Sequence, residues 1–167
     1  QANCEVIGDI ELFFRTKILS KVVGITGTNG KSTATSLLQH VLVTNQISSQ
    51  MGGNIGKPIL TLDKMNKNGI YIIELSSYQI DLTPSLNCEI SILLNISPDH
   101  IDRHGDLKNY ISSKKRIFEK NNSNKLAIIG TDDQYSKKIF DDLRNHLKNV
   151  VSVSVGGQSD SGIYVID

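Results

Sequence analysis

Residues 24–32 read G-I-T-G-T-N-G-K-S, a glycine-rich run between a β-branched segment and a helical pattern. Glycines let consecutive backbone N–H groups turn inward around phosphate oxygens. A helix starting near Ser32 adds its positive dipole end. Lys31 is placed to neutralise the outer phosphates of a nucleotide, and the Ser32 hydroxyl to hold Mg2+. The strict Walker A spacing wants glycine five positions before Gly30, where Ile25 stands; the glycines fall at Gly24 and Gly27 instead. A plain glycine turn with a chance lysine is the competing reading.

Glu74 ends the apolar run 70–73. A carboxylate leaving a buried strand beside a phosphate loop can hold Mg2+ directly or through water; a solvated strand end is the alternative. Ser76, Ser77, Tyr78 and Gln79 follow and could face a substrate. A second glycine-rich turn, 52–56, carries Asn54, which offers donors and an acceptor, or is an ordinary turn. His100 and His104 lie at helical i, i+4 spacing within D-H-I-D-R-H. They fit a zinc pair, a magnesium site beside a nucleotide, or a charge-rich solvated turn.

Lys114 is the residue out of place. The apolar stripe of its helix is Leu107, Tyr110, Ile111, Ile117 and Phe118. At about 100° per residue Lys114 falls in the middle of that stripe, while Lys108, Lys115, Arg116 and Lys120 fall outside it. A lysine there must snorkel, pair or change its chemistry. Desolvation favours the neutral, reactive amine.

The elements that would position these groups alternate. Strands are expected at 21–26, 46–51, 69–75, 89–95, 125–130, 150–155 and 162–166. Asp9 is expected to cap a short helix carrying Ile10, Phe13 and Phe14. Helices are expected at 32–45, with Leu37, Leu38, Val41 and Leu42 inward, at 106–120, and at 132–148, with Tyr135, Ile139, Leu143 and Leu147 inward. This is an α/β pattern: a mostly parallel sheet flanked by helices. Each motif follows a strand, so all should meet at the ligand-binding edge of the sheet.

The 167 residues allow one domain with a real core, and 38% hydrophobic with 21% charged residues is ordinary for a globular protein. A formal net charge of +1 points to neither nucleic acid nor an acidic membrane surface, and no apolar run approaches the roughly 20 residues of a membrane span. Two cysteines, Cys4 and Cys88, without a secretory leader suggest a reducing cytoplasm. A start at Gln1 and an end at Asp167 inside an apolar segment read as cuts in a longer protein.

Together these pieces resemble the Mur ligases of peptidoglycan synthesis. The matching stretches are TGTNGKST at 26–33, GGNIG at 52–56, ELSSYQ at 74–79 and LNISPDHIDRHG at 94–105. Lys114 matches the family lysine downstream of the Asp-His pair. GGNIG, ELSSYQ and VGDIELFFR at 6–15 look most like the D-glutamate-adding branch. The resemblance implies a P-loop NTPase-like central domain over residues 21–167, incomplete at its end, after a lead-in over 1–20. The UDP-binding N-terminal domain and the C-terminal domain would be absent, and the fragment inactive alone. It implies ATP bound by Gly27, Thr28, Asn29, Gly30, Lys31, Ser32 and Thr33. Two Mg2+ would be held by Ser32, Glu74, His100 and a Lys114 carbamate derived from CO2. Asn54, Ser76 and His100 would contact UDP-N-acetylmuramoyl-L-alanine, and D-glutamate would be joined to it through an acyl phosphate. A cytoplasmic enzyme, monomeric when full length, is the implied setting. Another Mur-type or folylpolyglutamate-type ligase, or a non-catalytic nucleotide-binding module, is the alternative.

Overall fold

The run KVVGIT is β-branched and buried on both faces, as an inner strand of a parallel sheet must be; it forms β1 (Lys21–Thr26). The computed structural model describes residues 4–157 and 162–165. The other strands are β2 (Ser49–Gly53), β3 (Ile70–Glu74), β4 (Ile90–Leu93), β5 (Leu126–Gly130), β6 (Val150–Ser154) and β7 (Gly162–Tyr164). All pair in parallel, in the order β2-β3-β1-β4-β5-β6-β7. The chain thus fills one edge first, crosses back over β1, and then fills the other. Register sets Ile25 beside Glu74 and Thr26 beside Leu93. The carboxyl ends of β3, β1 and β4 therefore lie side by side at the reversal, where open parallel sheets bind ligands.

Among the described residues six α-helices are interleaved: α1 (Asp9–Arg15), α2 (Lys31–Thr44), α3 (Ser77–Asp81), α4 (Ile101–His104), α5 (Leu107–Lys115) and α6 (Gln134–Arg144). One core joins Ile10 and Phe13 of α1, Tyr71 and Ile73 of β3, Tyr110 of α5 and Ile139 of α6. The opposite face holds a smaller core, in which Val23, Ile25 and Ile72 meet Ala34, Leu38 and Leu42 of α2. Further along that face, register puts Ile128 beside Ile92 and Val151. Ile128, Val151 and Val153 are half-buried and belong to neither core.

Several expectations shift. Gly8, not Asp9, is the N-cap of α1; Asp9 sits in the first turn, its carboxylate accepting from the Ile10 N–H at 2.9 Å. Leu37 and Val41 are 61% and 46% exposed rather than inward. The phosphate loop sets the rotation of α2, which buries Thr35 with Ala34, Leu38 and Leu42 and turns the other two out. Strand β2 starts later than expected because Gln46 takes a left-handed φ of 58° and the Ile47 N–H still bonds Leu42 O at 2.9 Å. Gly52 and Gly53 then pair with β3 instead of turning. Helix α6 is shorter than expected at both ends, starting after its Asp133 cap. Helices α3 and α4 form in segments to which no helix was assigned, and Ile166 lies outside the described residues. Among the described residues no helix is long and apolar enough to cross a membrane.

Candidate active site

At the end of β1 the Thr26 hydroxyl donates to Leu75 O at 2.8 Å, tying the strand to the end of β3. The chain then turns at Gly27, with φ at 157°. A Cβ there would lie 3.0 Å from Leu94 Cβ and 3.3 Å from the Asn95 N. Only glycine lets the loop pass this close to β4. Gly30, left-handed at φ 79°, is the N-cap of α2.

Asn95 clips the loop in place. Its Oδ1 accepts from the Asn29 N–H at 2.9 Å and its Nδ2 donates to Asn29 O at 3.1 Å. Its own carbonyl accepts from the Thr28 N–H at 2.9 Å. From the other side, the Thr28 hydroxyl lies 3.0 Å from the Tyr110 hydroxyl of α5 and accepts from the Ser97 N–H at 3.0 Å. The loop is therefore preorganised, and its shape does not wait for a ligand.

Two lysines converge on one oxygen. Lys31 Nζ donates to Gly27 O at 3.0 Å and Thr28 O at 2.9 Å; Lys114 Nζ donates to the same Gly27 O at 2.8 Å. Lys114 is 2% exposed, and its Nζ lies 4.7 Å from the centre of the Tyr110 ring. Burial first, and then the charge of Lys31, pull its pKa down to about 7, against an upward pull from Asp99. Near neutral pH much of this amine is therefore unprotonated and nucleophilic. The apolar stripe foretold the burial of Lys114; the second lysine beside it was not legible.

Glu74 is 1% exposed at the end of β3. Its Oε1 accepts from Asn54 Nδ2 at 3.0 Å, and the Asn54 N–H donates to Glu74 O at 3.0 Å. Its Oε2 is buried without a partner. An unsatisfied buried carboxylate oxygen is costly, and beside a phosphate loop it is the donor that a hard cation takes. The Glu74 carboxylate thus fits Mg2+, and Ser32 lies exposed in the first turn of α2.

Ser76 caps α3: its hydroxyl accepts from the Gln79 N–H at 3.2 Å, and Gln79 Oε1 accepts from the Ser76 N–H at 3.0 Å. His100 is the N-cap of α4 in a left-handed conformation, φ 50°, with 49% of its side chain exposed. His104 differs sharply: its side chain is 7% exposed and its Nε2 lies 3.0 Å from Ser77 Oγ. Among the described residues the pair is not part of any group of three or more His, Cys, Asp or Glu that could hold a metal. Lys31, Lys114, Glu74 and Asn54 line the strand ends, with Ser76 and His100 on the adjoining α3–α4 side. Sequence reasoning passed over Asn95 and Tyr110. Asn95 was signalled by a polar residue closing the apolar run 90–94; Tyr110, one turn before Lys114, was hidden in the apolar stripe.

Residues 25–165 match the Mur ligase middle domain. The UDP-N-acetylmuramoylalanine--D-glutamate ligase of Bradyrhizobium diazoefficiens is 47% identical over 169 residues, covering 99% of this chain and 36% of that protein. The enzyme of the same name from Sphingopyxis alaskensis is 49% identical over 152 residues, covering 89% and 35%. The chain thus spans about 36% of the length of the first of these relatives. Among solved structures, MurF ligase from Thermotoga maritima in complex with ADP superposes with a TM-score of 0.68 at 19% identity, covering 94% of this chain and 40% of that one. With a phosphate-loop fold, this strand-end site and these matches together, the chain belongs to the Mur ligase middle-domain family.

Proposed function

We propose that this chain is the nucleotide-binding portion of a longer, cytoplasmic ligase that joins D-glutamate to UDP-N-acetylmuramoyl-L-alanine, forming ADP and phosphate. In this reading residues 1–20 are a lead-in and 21–167 an incomplete central domain. The amino-acid-binding part lies elsewhere in the protein, which works as a monomer. The observation that carries the reading is the convergence of Lys31 and Lys114 on the Gly27 carbonyl beside the unpartnered Glu74 oxygen.

The residues divide the work as follows. The amides of 27–33 and Lys31 receive the phosphates of ATP; Lys31 leaves its loop carbonyls for them. Glu74, oriented by Asn54, and Ser32 would hold one Mg2+, and His100 with Lys114 a second. The metal, when bound, supplies positive charge where the transferring phosphoryl group carries negative charge. Asn54, Ser76 and His100 hold the UDP-linked substrate so that its alanyl carboxylate lies in line with the γ-phosphate. The carboxylate oxygen attacks phosphorus, the bond to ADP breaks, and an acyl phosphate forms. The amine of D-glutamate then displaces phosphate. Alignment and charge neutralisation are the chief contributions of the protein. The neutral Lys114 amine adds CO2 and loses a proton, becoming a carbamate. A carbamate anion binds Mg2+ where a bare ammonium would repel it.

The test is phosphate release from Mg-ATP by the complete protein, given UDP-N-acetylmuramoyl-L-alanine and D-glutamate. Release that requires D-glutamate and is lost in Lys31→Ala supports the assignment. Release only with another amino acid keeps the ligase chemistry and removes the D-glutamate specificity.

A further inference from the structure

Helix α4 is four residues long and inserts the side chain of His104 while no residue in it is buried as a whole, yet it carries His100 at its N-cap. So short a helix cannot hold itself. What anchors it is His104. Its ring stacks on Tyr78 of α3 at 5.5 Å and 9°, and lies 5.4 Å from the Tyr110 ring of α5. Its Nε2 meets Ser77 Oγ at 3.0 Å, and its Nδ1 lies 3.9 Å from Asp81 Oδ2. Back along the chain, the His104 N–H donates to His100 O at 3.2 Å, closing the turn on which His100 takes its left-handed backbone. Ser77 in turn accepts, through its carbonyl, from the Ser113 hydroxyl at 2.9 Å, next to Lys114.

We propose that His104 is a positioning residue: by gripping α3 it fixes the backbone of His100, and so the wall that faces the UDP-linked substrate. The name of that substrate rests on the ligase reading above; the grip does not. The phosphate loop hangs chiefly on Asn95, which His104 does not touch; the Tyr110 hydroxyl also supports it, from a ring that His104 packs against. Loss of His104 should therefore separate the two binding functions.

In the complete protein, His104→Ala should lower kcat/KM for the UDP-linked substrate roughly tenfold to a hundredfold, the cost of a misplacement of about 1 Å. Its affinity for a fluorescent ADP analogue should fall far less, because the hydrogen bonds from Asn95 to Thr28 and Asn29 do not pass through His104. His104→Gln, which can still reach Ser77, should recover part of the loss. Hydrogen exchange on this chain should quicken in residues 100–105 of His104→Ala while α2 stays protected. If His104→Ala does not fold, Ser77→Ala removes the same hydrogen bond from the other side and should give the same pattern. Unchanged exchange at 100–105, or ADP affinity falling along with that of the UDP-linked substrate, would overturn the proposal. Quickened exchange in a complete protein that shows no ligase activity would leave the grip standing and remove the ligase reading.

Discussion

The Lys114 amine has a proton affinity that depends on folding. Unfolded, it titrates near its ordinary value of 10.5; folded, near about 7. Below pH 7 both states hold the proton, and the fold bears the full cost of a buried ammonium. Between pH 7 and 10.5 the unfolded chain holds a proton that the fold lacks, so stability rises with pH across that window. Each tenfold change in proton affinity is worth about 1.4 kcal/mol. Lys114→Met removes this dependence. Thermal melts should show the wild type gaining roughly 2–3 kcal/mol on the variant between pH 7 and 9; parallel pH profiles would contradict the assigned burial. At Asn95 the expectation concerns binding. Asn95→Ala loses two hydrogen bonds to Asn29, each worth about 0.5–1.5 kcal/mol, and titration with ADP should show affinity reduced roughly tenfold. Unchanged affinity would mean that Tyr110 alone suffices to shape the loop.

At the scale of elements, caps decide where helices begin. Asp133 accepts from the Tyr135 and Ser136 N–H groups with Oδ1 and from the Ile96 N–H at 2.9 Å with Oδ2, fastening α6 to the segment after β4. Asp133→Ala should cost about 1–2 kcal/mol in urea unfolding, with no change at Lys114 or Glu74. Much at this scale was legible beforehand. The β-branched runs placed every strand but β2 to within two residues, because burial on both faces demands those residue types. The periodicity around Lys114 located its burial for the same reason. What escaped were consequences of three-dimensional fit. The inward face of α2 was misjudged because the loop, not the count of leucines, sets its rotation. Helices α3 and α4 were missed because a single capping box and one gripping histidine hold pieces too short to show a period. Partnerships such as Lys31 with Lys114, or Asn95 with Asn29, join residues far apart in the chain, and no local pattern announces them.

For the molecule as a whole, the two faces of the sheet are unequal. A parallel sheet ordinarily has both faces covered, yet Ile128, Val151 and Val153 are half-buried outside both cores, and Ile163 on β7 is 67% exposed. Strand β7 also lies at the sheet edge. Such a surface should bind an environment-sensitive dye and promote association of this chain by itself. Val151→Lys should reduce both effects, as read by dye fluorescence and sedimentation. A clean monomer at high concentration, with no dye bound by the wild type, would contradict this.

The order of strands also governs when the sheet can exist during synthesis. Among the strands of this sheet β1 leaves the ribosome before the rest, but its partners are β3 and β4. The bond from Thr26 to Leu75 spans 49 residues, and the one from the Val22 N–H to Glu89 spans 67. Strand β2 emerges next and pairs with β3 alone among the strands. The phosphate loop must then wait, unsupported, until Asn95 is made. The nascent chain thus carries the apolar strand β1 unpaired until β3 has followed it, an interval for a holdase to occupy.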